Sequence, residues 1–295
     1  MMARMPVAEV EVTIELTRKL LHVQHPDLYD LPMTIAAHGW DNVTVRLGDD
    51  LAVRLPRREA AAQLVEHEQL VLPRLAGRLP VAVPVPVRVG RPTGFYPWSW
   101  SVVPWLPGEP AFCLPASARD RWAADLAEAF AALHTPADTD APHNPVRGEP
   151  LAERAGVVRA RIAQADPSGR LLEVYDANAA AAPHPGPPLW VHGDPHPFNM
   201  LADENGLRAL IDFGDVTGGD PATDLATAWL TFTPAGRDAF IARYTDVTGA
   251  DAATWARARA WAARIASALL TASDDHAELA ALGRFALAQV LGARP

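Results

Sequence analysis

Apolar and polar residues alternate in two neighbouring stretches of the chain, residues 43–47 and 51–55, on either side of Gly48-Asp49-Asp50. This alternation, with a polar turn between, predicts a β-hairpin. Residues 95–103 are aromatic and β-branched, which predicts another strand. Residues 81–89 contain Pro84 and Pro86, so they predict an extended segment at a sheet edge rather than a central strand.

Helical spacing of apolar residues predicts helices over residues 1–30, 58–72, 118–134 and 151–165. The first is interrupted at His25-Pro26, and Pro73 is expected to end the second. Residues 136–150 predict a surface loop, and residues 183–188 a proline-rich linker. Everything after residue 221 predicts helices, with the following core anchors: Trp229, Phe232, Trp255, Trp261 and Phe285.

Strands therefore gather in the first third of the chain and helices in the rest. That segregation predicts the α+β class, in two lobes. The composition changes near Pro107-Gly108, and the break between the lobes is expected there.

Composition and charge exclude several classes of protein. The formal net charge is −9, so a nucleic-acid binder, which would need a basic surface, is not expected. The sequence has no stretch of roughly 18 consecutive apolar residues, so we expect no membrane span. Cys113 is the only cysteine and no signal peptide is evident, which favours the reducing cytoplasm. We expect a monomer or a weak dimer.

The segment around residues 189–212 carries the candidate chemistry. A short apolar run leads into a polar loop that contains Asp194 and Asn199, and Asn205-Gly206 then separates two further apolar runs. Asn-Gly between apolar runs is a strong hairpin signal. Such a hairpin would bring Asn199 close to Asp212, and Asp194 could point into the same volume. Two oxygen-donor side chains facing one space are what Mg²⁺ coordination needs.

The same segment resembles a known family. His192, Asp194 and Asn199, followed by a hairpin and Asp212-Phe213-Gly214, have the spacing of the catalytic and metal loops of protein kinases. The sequence from His192 to Asp215 more closely resembles that of the aminoglycoside phosphotransferase family. Three other stretches also resemble it: residues 39–42, residues 52–56 and residues 220–226.

The resemblance covers roughly residues 35–230 and implies a protein-kinase-like fold. Residues 1–106 would be a nucleotide-binding lobe with a small antiparallel sheet. Residues 107–295 would be a mainly helical lobe with the catalytic loop. The implied roles are Asp194 as catalytic base, Asn199 and Asp212 as Mg²⁺ ligands, and His192 as a brace for the loop.

The sequence departs from the family at the phosphate contacts. Kinases place a lysine on the third strand, whereas that position here is Arg54, and Lys19 is the only lysine in the chain. Arginine can still bind phosphate oxygens. Its expected partner is Glu68, with Glu66 as second choice. No G-x-G-x-x-G is present near the hairpin, so a phosphate cradle would consist of backbone amides and the side chain of Asn42.

The family also implies where the base of the nucleotide binds. Residues 103–108 would connect the lobes and receive adenine. The expected contacts are the carbonyl of Pro104 as acceptor and the N–H of Leu106 as donor. ATP is the expected nucleotide, with GTP as an alternative.

Two other interpretations stay open at this point. The spacing of His192, Asp194 and His196 could belong to a metallohydrolase. A catalytically inactive, nucleotide-binding relative is the other alternative, which Arg54 favours and the intact set of Asp194, Asn199 and Asp212 opposes.

Further acidic residues have simpler explanations. Asp215, Asp220 and Asp224 are expected to hold loops or cap helices. Asp274, Asp275 and Glu278 could meet a cationic substrate, but a solvated helix start, where the helix dipole favours acidic residues, is the preferred explanation. The sequence thus predicts a small-molecule kinase that phosphorylates a hydroxyl group. Its acceptor would be an antibiotic of the aminoglycoside, macrolide or nucleoside type, giving resistance or self-protection.

Overall fold

A computed structural model describes residues 7–273 and 276–292 of the chain. The N-terminal part is built on five strands: β1 (Met33–His38), β2 (Asn42–Leu47), β3 (Leu51–Pro56), β4 (Arg88–Gly90) and β5 (Trp100–Pro104). They form one antiparallel sheet in the order β1-β2-β3-β5-β4. The predicted α+β class with a small antiparallel sheet is confirmed.

The predicted hairpin is β2–β3, with Val45 opposite Val53. Its turn needs Gly48, whose φ is +62°, a conformation that glycine adopts at little cost. Strand β1 was not predicted because its residues are mostly exposed and lack alternation. Strand β4 does lie at the edge of the sheet, as the prolines before it indicated. Strand β5 begins only at Trp100, because Thr93 and Tyr96 close a turn before it.

Two helices accompany this sheet. The first, α1 (Ile14–Gln24), is shorter than predicted because Thr13 caps it, its hydroxyl accepting from the N–H of Leu16. The second, α2 (Glu59–Leu75), continues through Pro73, so the predicted end of that helix was wrong. Pro73 lies so close to the C-terminus of α2 that its missing N–H removes only one hydrogen bond of the last turn.

The C-terminal part is mainly helical. Its helices are α3 (Ala116–Arg119), α4 (Ala123–Leu133), α5 (Ala155–Ala165), α6 (Arg170–Ala179), α7 (Ala222–Leu225), α8 (Thr227–Thr231), α9 (Pro234–Thr248), α10 (Ala252–Ala272) and α11 (Ala277–Leu291). Helix α10 lies at the centre and packs against α5, α6, α7 and α11. The predicted helix over 118–134 is divided between α3 and α4, and the one over 151–165 begins later, at Ala155.

Of the predicted core anchors, Trp229, Phe232 and Trp261 are buried, whereas Trp255 and Phe285 are partly buried. The core of this part also contains Val71, Leu72 and Leu75, so the end of α2 packs into the helical part. No helix in the described ranges has the length and apolar character that crossing a membrane requires.

Two small sheets position the candidate site. Strands β7 (Leu189–Val191) and β10 (Thr217–Gly219) pair with each other, and β8 (Met200–Asp203) pairs with β9 (Gly206–Leu210) and with β6 (Glu109–Pro110). The predicted Asn205-Gly206 hairpin is β8–β9, closed by Asp203 opposite Gly206. The polar loop of residues 192–199 therefore connects the two sheets.

Candidate active site

The loop of residues 192–199 is fixed from beneath by a buried carboxylate. Asp224 accepts hydrogen bonds from the backbone N–H groups of His192 (2.7 Å) and Gly193 (2.9 Å). It also pairs with His134 Nε2 (3.1 Å), whose Nδ1 bonds to the hydroxyl of Tyr244 (2.7 Å). Asp224 is fully buried, so its charge acts on the loop rather than on solvent, as expected of a loop-holding residue.

The loop also requires a glycine. Gly193 has φ +91° and lies against Asp215, whose carbonyl oxygen would be 2.4 Å from a β-carbon at position 193. Any side chain there would force the two segments apart. His192 braces the loop from above, because its Nε2 bonds to the carbonyl of Ile211 (3.0 Å).

Asp194 points away from this scaffold and carries two ionic contacts. Its Oδ1 accepts from Arg147 Nη2 (2.7 Å), and its Oδ2 lies 3.3 Å from His196 Nε2. Burial alone would raise the pKa of Asp194, but Arg147 and His196 outweigh burial and hold that pKa well below its ordinary value. Asp194 is therefore an ionised carboxylate, 27% exposed, with lone pairs left to accept from a ligand hydroxyl.

Asn199 and Asp212 lie at the open end of the β8–β9 hairpin, as the sequence predicted. Ile211 donates its N–H to the carbonyl of Asn199 (3.0 Å), which aligns Asn199 with the residue just before Asp212. Asn199 Nδ2 donates to the carbonyl of Asp194 (3.0 Å), so the amide orientation leaves Oδ1 as the free end.

The backbone of Asp212 is unusual. Among the described residues it is the only non-glycine with positive φ (+62°), and such a conformation costs about 1–3 kcal/mol at a non-glycine residue. Its side chain is 51% exposed. Oxygen ends of one amide and one carboxylate fit Mg²⁺, which commonly takes one or two protein ligands and completes its shell with phosphates and water. The donor set is thus suitable for the predicted metal.

The metallohydrolase interpretation finds no support in this geometry. Within residues 7–273 and 276–292, no group of three or more His, Cys, Asp or Glu side chains is arranged to hold a metal ion. Both ring nitrogens of His192 are engaged, Nε2 by Ile211 and Nδ1 by the N–H of Asp194 (3.3 Å). His192 therefore has no free nitrogen for zinc.

Arg54 joins the sheet to this hairpin. From β3 it donates to Glu68 Oε1 (2.7 Å) through Nη1 and to Asp212 Oδ1 (2.9 Å) through Nη2. Glu68 also accepts from the N–H of Phe213 (2.9 Å). Burial would lower the pKa of Arg54, but the two carboxylates outweigh burial and raise it. Arg54 is therefore a permanent cation at the place where the sequence predicts a phosphate contact.

The expected partner of Arg54, Glu68, is the one in contact. Glu66 instead accepts from Ser99 at the surface (2.9 Å). At the predicted phosphate loop, the N–H of Gly39 donates to the carbonyl of Asn42 (2.8 Å). Asn42 Oδ1 and Trp40 Nε1 are buried there without a hydrogen-bond partner in the described part of the chain, so polar atoms are available for a bound group.

The connecting segment continues from β5. Trp105 donates its N–H to the carbonyl of Asp50 (2.7 Å), and Pro104 lies opposite Leu51 in the sheet. The carbonyl of Pro104 belongs to the same peptide plane as the N–H of Trp105 and points the opposite way, so it is directed away from β3. Leu106 follows the end of β5, and the contact of these two groups with a purine base stays a prediction.

The model of the Phosphotransferase enzyme family (APH) matches residues 33–261. The chain belongs to this family.

Solved phosphotransferase structures share the fold along nearly the whole chain. The GDP and kanamycin complex of APH(2″)-IIia has a TM-score of 0.68 at 19% identity, over 94% of this chain and 98% of that one. The macrolide 2′-phosphotransferase MphH from Brachybacterium faecium has a TM-score of 0.61 at 21% identity, over 92% and 98%. The streptomycin–ATP–APH(2″)-IIa complex has a TM-score of 0.59 at 18% identity, over 88% and 91%. A comparison with curated protein sequences gave no match. The kinase-like, two-lobed fold is confirmed.

One residue of this phosphotransferase site was missed by sequence reasoning. Arg147 belongs to the segment 136–150, predicted as a surface loop, yet it bonds to Asp194 and also to Asp215 Oδ2 through Nε (3.3 Å). The end of that segment is buried, since Gly148 donates to Thr223 Oγ1 (3.1 Å). No motif marks Arg147 in a single sequence.

The remaining acidic residues divide into two groups. Asp220 accepts from the N–H of Ala222 (3.0 Å) at the start of α7 and pairs with Arg257 (2.7 Å), which agrees with its expected structural role. Glu278 is exposed in the first turn of α11. Asp274 and Asp275, which the sequence groups with it, lie outside the described residues, so the idea of a cation-binding cluster stays a prediction.

Proposed function

We propose that this phosphotransferase transfers the γ-phosphoryl group of ATP, with GTP as the alternative donor, to a hydroxyl group of a small molecule. The observation that carries the proposal is the convergence of Asp194, Asn199 and Asp212 on one end of the β8–β9 hairpin, with Arg54 reaching the same place from the sheet. Phosphoryl transfer depends mainly on positioning and charge neutralisation, and these four residues supply both.

Asp194 would act on the acceptor. Its carboxylate is ionised, partly exposed and rigidly placed by the loop that Asp224 holds. It would accept a hydrogen bond from the acceptor hydroxyl, orient the oxygen and take its proton as the oxygen attacks phosphorus. His192 has no part in the proton transfer, because its ring is committed to the loop.

Asn199 and Asp212 would hold Mg²⁺. The ion, when bound, neutralises negative charge on the phosphates during transfer. Arg54 would contribute a second positive charge, and its planar donor group can reach phosphate oxygens while it stays attached to Glu68. Asn42 and Trp40 would line the phosphates. Pro104 and Leu106 would bind the purine edge.

The similar structures support a nucleotide as the phosphoryl donor and an antibiotic as the acceptor, but they do not identify the individual compounds. Several of the similar structures contain GDP, ATP or ADP, and some contain kanamycin, streptomycin or gentamicin. Others are macrolide phosphotransferases. On this basis we propose that the acceptor is an antibiotic or a similar polyhydroxylated molecule, and that phosphorylation gives resistance or self-protection.

A catalytically inactive nucleotide-binding protein is the alternative. Arg54 in place of lysine is the feature that favours it. The ionised, partly exposed Asp194 opposes it, because a carboxylate that serves the acceptor would be unnecessary in a protein that only holds a nucleotide.

A screen for acceptor-dependent ADP release tests the proposal. Purified protein, ATP and Mg²⁺ are combined with a panel of aminoglycosides, macrolides, nucleoside antibiotics and simple amino alcohols. We expect at least one acceptor to stimulate release, and Asp194→Ala to lower that rate about 10²–10⁴-fold, the usual contribution of a general base. Nucleotide affinity should stay within about threefold, since Asp194 serves the acceptor. Nucleotide binding without release for any acceptor would favour the inactive alternative.

A further inference from the structure

Arg147 lies between two carboxylates of the site. Its Nη2 is 2.7 Å from Asp194 Oδ1, and its Nε is 3.3 Å from Asp215 Oδ2. Asn144 holds the same assembly, because its Oδ1 accepts from the N–H of Arg147 (3.1 Å) and its Nδ2 donates to Asp215 Oδ1 (2.8 Å). The side chain of Arg147 is thus bonded to the candidate base Asp194, and its backbone is linked through Asn144 to Asp215.

This arrangement changes the charge that an acceptor meets. Without Arg147, Asp194 and Asp215 would present two negative charges and would attract a substrate ammonium group. With Arg147 in place, the chain supplies its own cation, and one net negative charge remains. A further cation close to the guanidinium group would be repelled, and the repulsion is strong where water is partly excluded. Oxygen atoms of a neutral ligand are not penalised in this way.

Part of Arg147 is left for a ligand. Its side chain is 22% exposed, and Nη1 makes no hydrogen bond to the residues of the described ranges. A guanidinium group has five N–H donors in a fixed plane, so Nη1 can donate to an oxygen next to the hydroxyl that Asp194 binds.

A cavity of about 590 Å³ opens beside Arg147, a volume typical of small-molecule sites. Its wall is formed by residues from the segments 143–153, 179–188 and 218–220 together with Arg257. Asp194 and Asp215 do not line the cavity, which adjoins them through Arg147 and Asn144.

The charges that line this cavity are largely neutralised within the protein. Glu149 pairs with Arg264 (2.8 Å), and Asp220 pairs with Arg257 (2.7 Å). Glu153 is exposed at the rim. His143 and His184 also line the wall. A polycation would therefore find few unpaired carboxylates along this wall.

We infer that Arg147 is a specificity-determining residue that excludes polycationic acceptors, and that the acceptor is a neutral or singly charged polyhydroxylated molecule. The inference rests on the proposed function and narrows it: macrolide-like and nucleoside-like acceptors fit, and aminoglycosides do not. Arg147 would donate to an acceptor oxygen while Asp194 accepts from the neighbouring hydroxyl.

Binding of a matched pair of probes tests the inference without any turnover. Kanamycin carries several ammonium groups, and its fully N-acetylated derivative keeps the hydroxyls without those charges. Calorimetric titration in the presence of MgADP should show that the wild-type protein binds kanamycin no more tightly than the acetylated form. Arg147→Met should bind kanamycin at least about tenfold more tightly than wild type, because Asp194 and Asp215 then no longer face the positive charge of the guanidinium group.

Controls separate the charge of Arg147 from its place in the structure. Arg147→Lys keeps the charge and should behave as wild type towards kanamycin. Arg159→Met removes an exposed arginine of α5 that pairs with Asp176 and should change neither probe. Tighter binding of kanamycin than of the acetylated form by wild type would overturn the inference, and so would a folded Arg147→Met variant without a gain. The comparison of kanamycin with its acetylated form on wild-type protein tests the inference even if Arg147→Met does not fold.

Turnover supplies the second measurement. Among acceptors that stimulate ADP release, the best neutral or singly charged compound should exceed the best aminoglycoside in kcat/KM by at least about 100-fold, and Arg147→Met should narrow that ratio. An aminoglycoside as the best acceptor would contradict the inference while supporting the proposed function. No turnover with any acceptor would contradict the proposed function, and the binding titration would still decide what Arg147 does.

Discussion

The two sides of the site use the same ionic arrangement in different surroundings. On the proposed nucleotide side, Arg54 bridges Glu68 and Asp212; on the proposed acceptor side, Arg147 bridges Asp194 and Asp215. Arg54 stands on a regular strand, and its side chain is 11% exposed. Arg147 comes from an irregular segment and is twice as exposed, at 22%.

The difference indicates different duties. The Arg54–Glu68 pair is enclosed, so losing one partner would leave a charge in a place where water cannot compensate. The side chain of Arg147 is partly exposed and lines the cavity, so a ligand there can use its remaining donors. Arg54 is therefore part of the framework of the site, and Arg147 is the arginine that we propose contacts the acceptor.

Replacing Arg54 should have the largest effect. Arg54→Met leaves Glu68 buried and unpaired, and we expect a loss of about 3–5 kcal/mol in the free energy of unfolding. Chemical denaturation measures it. The double variant with Glu68→Leu should recover much of the loss, because two apolar side chains need no ionic partner. If Arg54→Met alone were as stable as wild type, the proposed difference between the two arginines would be wrong.

Asp224 supports both sides, because the loop it holds lies between them. Asp224→Asn keeps the shape but replaces one of the two acceptor oxygens by a donor. We expect a loss of about 1.5–3 kcal/mol, the range for hydrogen bonds to charged groups, together with reduced turnover. Hydrogen exchange of the His192 and Gly193 amides should become faster. Unchanged protection of these two amides would show that Asp224 does not hold the loop.

Arg147 should matter less for stability than for ligand choice. Arg147→Met should cost about 1 kcal/mol or less in unfolding free energy, the range of partly exposed ion pairs. Thermal and chemical denaturation of Arg147→Met and Arg54→Met under the same conditions compare the two losses in unfolding free energy directly. A loss as large as that of Arg54→Met would mean that Arg147, too, is part of the framework.

The smallest effect is expected at the surface. Arg159→Ala removes an exposed ion pair with Asp176 on α6 and should change the free energy of unfolding by no more than about 0.5 kcal/mol. It is a matched control for the loss of one positive charge in the helical part. A large change in the stability of Arg159→Ala would show that net charge, rather than local contacts, determines the stability of these arginine variants.

The contrast between the two arginines also explains how much the sequence could predict. Arg54 was found through the resemblance to kinases, which carry a lysine on the third strand, and the clear alternation of β2–β3 shows where that strand lies. The proximity of Asn199 and Asp212 was predicted from the hairpin signal at Asn205-Gly206. These features depend on neighbours in sequence.

Arg147 could not be found in that way. Its position depends on Asn144, on Gly148 packed against β10, and on two carboxylates more than forty-five residues away. Likewise, Pro73 was expected to end α2 because proline usually breaks a helix. The sequence does not show that the end of this helix packs into the core of the helical part, where Leu75 is buried. Strand β1 escaped because an exposed edge strand needs no apolar alternation.

The most direct test of the kinase assignment follows the phosphoryl group itself. Wild-type protein and Asp194→Asn are incubated with γ-labelled ATP, Mg²⁺ and the best acceptor from the screen, and the label is traced by mass spectrometry. We predict a labelled phosphate ester on an acceptor hydroxyl with wild type. Its formation should be lowered about 10²–10⁴-fold with Asp194→Asn, although both proteins bind ATP equally. Equal product from the two proteins, or label released only as inorganic phosphate, would contradict the assignment.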